Sequence, residues 1–147
     1  MKISINIRPD ADDTEIVVNC PRLTPETEKI IAALRLIDCQ LSVRDESTYT
    51  LLDPGSVIYV EAIDRKTFVY TDQKVYESDL RLYELESKLN DLGFCKISKS
   101  CIVNLRRIRA LKADVEHRIR ICTDNGETLI ASRMYANELR EKLGVNS

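Results

Sequence analysis

Between Phe94 and Leu111 the chain reads FCKISKSCIVNLRRIRAL, with apolar residues recurring near every second position and Lys or Arg set between them. A period near two fits neither face of a helix. It selects strands that bury one side and solvate the other, here Ile97, Cys101, Val103, Leu105, Ile108 and Leu111 against their basic neighbours. Charge is concentrated in the same place. Lys96, Lys99, Arg106, Arg107, Arg109, Lys112, Arg118 and Arg120 face only Asp114 and Glu116, a local +6, so the rest of a −2 chain sums to −8. A basic face on an acidic protein collects where a polyanion binds.

The 147 residues suit one domain, or one domain with an appendage. Hydrophobic residues make up 44% and charged residues 31%, enough apolar material for a core. No run approaches eighteen apolar residues, and the start MKISINIRPDADD lacks the apolar stretch of a signal peptide, so membrane insertion is not expected and a cytoplasmic place is. Cys20, Cys39, Cys95, Cys101 and Cys122 are scattered without a CxxC pair, and His117 is the single histidine. That pattern predicts free thiols and no metal site. Cys95 and Cys101, flanking the basic bend, are the pair a redox switch would use.

Residues 1–50 read as a small module of strands and one helix, with net charge −3. Alternation over Lys2–Ile7 and the run Ile16-Val17-Val18 within Glu15–Asn19 predict two short strands around an acidic turn, Pro9–Asp13. Thr24-Pro25 predicts a helix start, followed by Ile30, Ile31, Leu34 and Ile37 at helical spacing. Further strands are expected at Leu41–Val43 and Thr48–Leu52, then a turn at Asp53-Pro54-Gly55. An acidic module is a poor DNA reader, so dimerisation or bracing is its expected role.

Residues 51–147 form the second unit. Val57–Val60 and Thr67–Thr71 flank a polar tip, Asp64-Arg65-Lys66, as a hairpin. Ser78–Leu92 reads as an amphipathic helix capped by Ser78, with Leu82, Leu85, Leu89 and Leu92 as a core stripe and Gly93 after its end. Phe94–Ile97 and Cys101–Leu105 are strands joined by the bend Ser98-Lys99-Ser100. A lysine between two hydroxyls on a tight bend offers a base-edge donor beside phosphate-binding groups. Asn104, ending an apolar run where the chain turns, is expected to satisfy backbone groups. Asp114–Thr123 and Glu127–Ala131 make a hairpin through Asn125-Gly126, and Ser132 caps a last helix, Met134–Leu143.

Four blocks, VIYVEAIDRKTFVYT, YESDLRLYELESKL, GFCKISKSCIVNLRRIRAL and DNGETLIASRMYANEL, occur in an order that resembles the LytTR DNA-binding domain of bacterial transcription regulators. The sharpest signature is FCKISKSCIVN, Phe94–Asn104, and a second is Ser132-Arg133 before the last helix. The resemblance covers roughly residues 50–143. It implies an α+β fold, mainly antiparallel sheets with short helices, whose inter-strand loops enter the DNA grooves. Lys99 matches the base-reading position and Ser100 its phosphate-contacting neighbour. Lys66 and Thr67 match a DNA-facing loop, and Arg133 matches a basic pair whose second member, commonly Arg, is Met134 here. With the flanking basic and hydroxyl residues, the expected DNA-binding set is Lys66, Thr67, Lys96, Ser98, Lys99, Ser100, Arg106, Arg107 and Arg133. Lysine donates but cannot accept, which favours guanine O6/N7 over adenine.

The resemblance further implies sequence-specific binding of double-stranded DNA at paired promoter repeats, and a homodimer. The chain lacks the acidic pocket and length of a receiver domain, so a stand-alone, response-regulator-like form is expected. No GxGxxG, GxxxxGK, GxSxG or HExxH motif is present, and neither a catalytic activity, a cofactor nor a small-molecule substrate is expected. Two alternatives use the same fold: an RNA-binding module, which would add exposed aromatics to the basic face, and a protein-interaction adaptor without DNA binding, to which Met134 points.

Overall fold

The alternating runs become ten strands, and a computed structural model describes residues 1–12, 14–35 and 39–145 of the chain. In chain order the elements are α1 (Pro25–Arg35), β1 (Leu41–Asp45), β2 (Thr48–Leu52), β3 (Val57–Ile63), β4 (Lys66–Thr71) and β5 (Val75–Ser78). They continue with α2 (Leu82–Leu89), β6 (Phe94–Ser98), β7 (Cys101–Asn104), β8 (Ile108–Ala113), β9 (Ile119–Thr123), β10 (Thr128–Ala131) and α3 (Arg133–Leu143). Seven strands form one sheet in the order β2-β1-β5-β4-β3-β7-β6, and three form a second, β10-β9-β8. Every pairing is antiparallel. The expected α+β architecture of antiparallel sheets with short helices is the one found.

The large sheet is buried on both faces at its centre, which explains why VIYV and CIVN are continuous rather than alternating apolar runs. On one face Val57, Val60, Val69, Phe94 and Ile102 meet Leu85 and Leu89 of α2, together with Leu41 and Val43 of β1. On the other, Tyr59, Cys95, Ile97, Cys101 and Val103 meet Ile119 and Ile121 of the small sheet and Ala136 and Leu139 of α3. The leucine stripe read from the sequence is therefore core, with Leu85 and Leu89 fully buried. At about 1.5–3 kcal/mol per buried large side chain, each such contact is a sizeable part of a domain's net stability.

Local chemistry sets the boundaries. The Thr24 hydroxyl accepts the Thr27 amide at 3.2 Å, capping α1 as expected, while Ile37 lies outside the described residues. Gly93 closes the turn after α2 at φ 89°, a conformation an L side chain resists, and a Cβ there would stand 3.4 Å from Ala32 of α1. Asn125-Gly126 closes the β9–β10 hairpin as its sequence demands.

Several expectations are corrected. Lys2–Ile7 and Glu15–Asn19 form no strands, because alternation specifies a face but supplies no partner ladder, and a lone strand is unstable. Ser78 does not cap α2. It ends β5, a strand the sequence reading missed, and its hydroxyl accepts the Leu80 amide at 3.1 Å. The helix starts after Arg81, whose amide donates to the Glu84 carboxylate at 3.1 Å. Val115–His117 is a short 3-10 turn before β9 rather than strand, so β9 begins only at Ile119. A division at residue 50 falls inside β2, which pairs along its length with β1.

Candidate nucleic-acid interface

The bend Ser98-Lys99-Ser100 is built by the strands it joins. Register slips by one residue between Lys96 and Ser98, so Ile97 is an extra residue driven into the core, and the bulge turns the following segment outward. Ile97 and Cys101 anchor the two sides while Lys99 and Ser100 stand exposed. The Ser100 amide donates to the Ser98 hydroxyl at 3.3 Å, which holds the bend closed.

Two backbone hydrogen bonds attach neighbouring loops to it. The Ala62 amide of β3 donates to the Ser100 carbonyl at 2.8 Å, bringing the β3–β4 tip alongside. The Ser132 amide donates to the Ile97 carbonyl at 2.8 Å, bringing the N-terminus of α3 to the other flank. Segments some thirty residues apart in sequence thereby form one edge. It presents Arg65, Lys66, Lys99 and Arg133, all exposed, against Asp64. Lys96 lies just beneath, its ammonium 5.8 Å from the centre of the Tyr135 ring at the start of α3.

Two of these cations sit where local preference opposes them. The β3–β4 tip is a two-residue loop with Asp64 at φ 52° and Arg65 at φ 69°, the primed turn that favours Asn or Gly at the second place. The sequence marks Arg65 only as part of a polar tip, outside the expected binding set; the sign of it is a bulky residue where Asn-Gly or Asp-Gly is usual. Arg133 opens α3 with no acidic residue in the first turn, so its charge adds to the positive end of the helix dipole. Ser132 has N-cap backbone geometry but its hydroxyl makes no capping bond, contrary to expectation.

Not every expected residue belongs to this edge. Thr67 is 4% exposed, covered between β3 and β5. Arg106 and Arg107 lie at the opposite end of the sheet, since β7 runs from the bend at Cys101 away to Asn104. Arg106 donates to the Leu92 carbonyl at 2.9 Å, and burial lowers its proton affinity. Arg107, its side chain 17% exposed, forks to Asp72 and Asp124 at 2.7–2.9 Å, clamping the β4–β5 turn to the β9–β10 turn. Those carboxylates hold the guanidinium firmly charged. Both arginines are structural.

Asn104 behaves as expected: fully buried, it donates to the Val57 carbonyl at 2.8 Å and accepts from the Arg106 amide at 3.1 Å. Phe94, the aromatic residue of the basic stretch, is buried, so no exposed ring there offers a base a stacking surface. Burial pushes the Cys95 thiol up to about 11 and the Cys101 thiol up to about 12, which keeps both protonated and unreactive. They face Val103 and Ser98 across the ladder rather than each other, so the redox pair is not supported. Among the described residues no helix is long and apolar enough to cross a membrane.

Known proteins share this fold. The family described as "LytTr DNA-binding domain" matches residues 47–144. A solved LytTr DNA-binding domain from Bacillus cereus superposes with a TM-score of 0.67 at 28% identity, covering 71% of this chain and 96% of that one. The sensory transduction protein LytT of Enterococcus faecalis is 27% identical over 106 residues, 72% of this chain, which spans 44% of that relative's length. An uncharacterized HTH-type transcriptional regulator of Staphylococcus aureus is 26% identical over 99% of both chains. Here strands separate α1, α2 and α3 from one another, so the described residues contain no two-helix hairpin of the kind that name denotes. With its family match taking in β2 to β10 and α3, the chain belongs to the LytTr DNA-binding domain family.

Proposed function

We propose that this protein is a transcription regulator that reads double-stranded DNA in a sequence-specific manner through the edge formed by the β3–β4 tip, the β6–β7 bend and the start of α3. The observation that carries this reading is the pair of 2.8 Å backbone bonds that fix three cation-bearing loops side by side. Lys99 donates to a base edge, with guanine O6/N7 preferred, and Ser100, Arg65, Lys66 and Arg133 hold phosphates. Ser98 shapes the bend and Lys96 contributes charge from beneath it. Control regions with paired repeats, a homodimer built with the help of residues 1–50, and a cytoplasmic place complete the proposal.

The test is selection from a random-sequence duplex pool with the purified protein at two salt concentrations, alongside Lys99→Ala. A repeated motif is expected, with affinity falling at a log–log salt slope of about −0.9 per phosphate contact. No enrichment and a flat salt response would remove DNA binding from this edge.

A further inference from the structure

The N-terminal arm has the sequence pattern of a strand and no sheet to join. Ile3, Ile5 and Ile7 alternate with Lys2, Ser4, Asn6 and Arg8, the pattern of a half-buried strand, yet the three isoleucines are 79, 83 and 88% exposed. The large sheet meanwhile ends on a strand without a neighbour. β2 is the outermost strand, reads TYTLL without a charged residue or proline, and exposes Tyr49 at 61% and Leu51 at 65%. Natural sheets guard a free edge with lysine, proline or a bulge, and β2 carries none of these.

Arm and edge complement each other in charge as well as in pattern. Lys2 and Arg8 bracket the isoleucines, and the six steps between them span about 20 Å when extended. Glu46 and Asp53, both exposed, bracket β2 across seven steps, about 23 Å. An antiparallel arm with Arg8 opposite Glu46 would set Ile3 opposite Leu51, Ile5 opposite Tyr49 and Lys2 opposite Leu52, one residue short of Asp53. Among the described residues, the Arg8 guanidinium meets one carboxylate, that of Asp10 at 3.8 Å, with both side chains exposed. Among the described residues of one chain, neither the arm nor the outer edge of β2 has a ladder partner.

We infer that the arm of one copy, residues 2–8, adds as an eighth strand to the β2 edge of a second copy, and that reciprocal exchange closes a two-fold dimer. This rests on the homodimer of the proposed function and names the surface that makes it. Exchange of identical elements satisfies both free edges at once and leaves no open end.

Full-length protein is tested by sedimentation with two single variants. Ile5→Pro removes a ladder donor in a segment whose side chains are exposed. Leu51→Lys guards the β2 edge at an exposed position. The wild type is expected to be a concentration-dependent dimer, and each variant to associate at least tenfold more weakly with unchanged circular dichroism. Mixing the two variants is the decisive arm: the intact arm of Leu51→Lys can still pair with the intact edge of Ile5→Pro, so the mixture recovers heterodimer that neither variant forms alone. Variants that both remain dimeric overturn the arm exchange while leaving the homodimer standing. Monomeric variants whose mixture recovers nothing overturn it in favour of another surface. A wild type that stays monomeric at every concentration, free and on DNA, overturns the homodimer and the exchange together.

Discussion

Arg65→Gly separates what the β3–β4 tip does for the fold from what it does for DNA. Arg65 holds φ 69°, and a non-glycine residue in that region costs about 1–2 kcal/mol. Glycine removes that strain but has about 0.5–1 kcal/mol more freedom to lose on folding. The variant should therefore be as stable as the parent, or more stable by up to about 1.5 kcal/mol. Its DNA binding should weaken. One lost phosphate contact removes about 0.9 from the salt slope, which at about 0.1 M salt corresponds to roughly eightfold in Kd. Thermal unfolding reads the first effect, and fluorescence anisotropy on a labelled duplex across a salt series reads the second. A stable variant with undiminished affinity and slope would refute the placement of this tip at DNA. A variant destabilised beyond about 1 kcal/mol would refute the argument that Arg65 stands against its local preference.

Lys99→Ala should cost about 1–3 kcal/mol at one base position and relax sequence preference there, measured by competition among duplexes altered at single pairs. Arg107→Ala should lower stability by about 1–2 kcal/mol in urea titration, because it strands Asp72 and Asp124, while leaving the salt slope of DNA binding unchanged. Asn104→Ala should cost about 2–3 kcal/mol by orphaning the Val57 carbonyl and the Arg106 amide. Cys95 and Cys101 should resist alkylation at mild alkaline pH in the native protein while exposed Cys20 reacts, read by mass spectrometry. Their folded-state pKa values lie above the ordinary 9.0, so the stability they contribute is full below pH 9 and declines as pH rises toward about 11 for Cys95 and about 12 for Cys101.

The sequence by itself determined the elements whose cause is local. Period-two runs placed β6 and β7, the leucine spacing placed α2 within a few residues, Asn125-Gly126 placed a hairpin, and the end of an apolar run marked Asn104 as a backbone partner. The signature around Lys99 identified the bend, because a tight polar connection between two buried strands must face outward. Tertiary structure decided which cations are available. Arg107 and Lys99 look alike in a basic run, and only partners 35 and 17 residues away, Asp72 and Asp124, remove the arginine from the surface. Thr67, matched to a DNA-facing loop by resemblance alone, is covered by β5, a strand too short to announce itself in the sequence. The Lys2–Ile7 run carries a strand's pattern and no strand, since alternation is written in one segment while a ladder requires two.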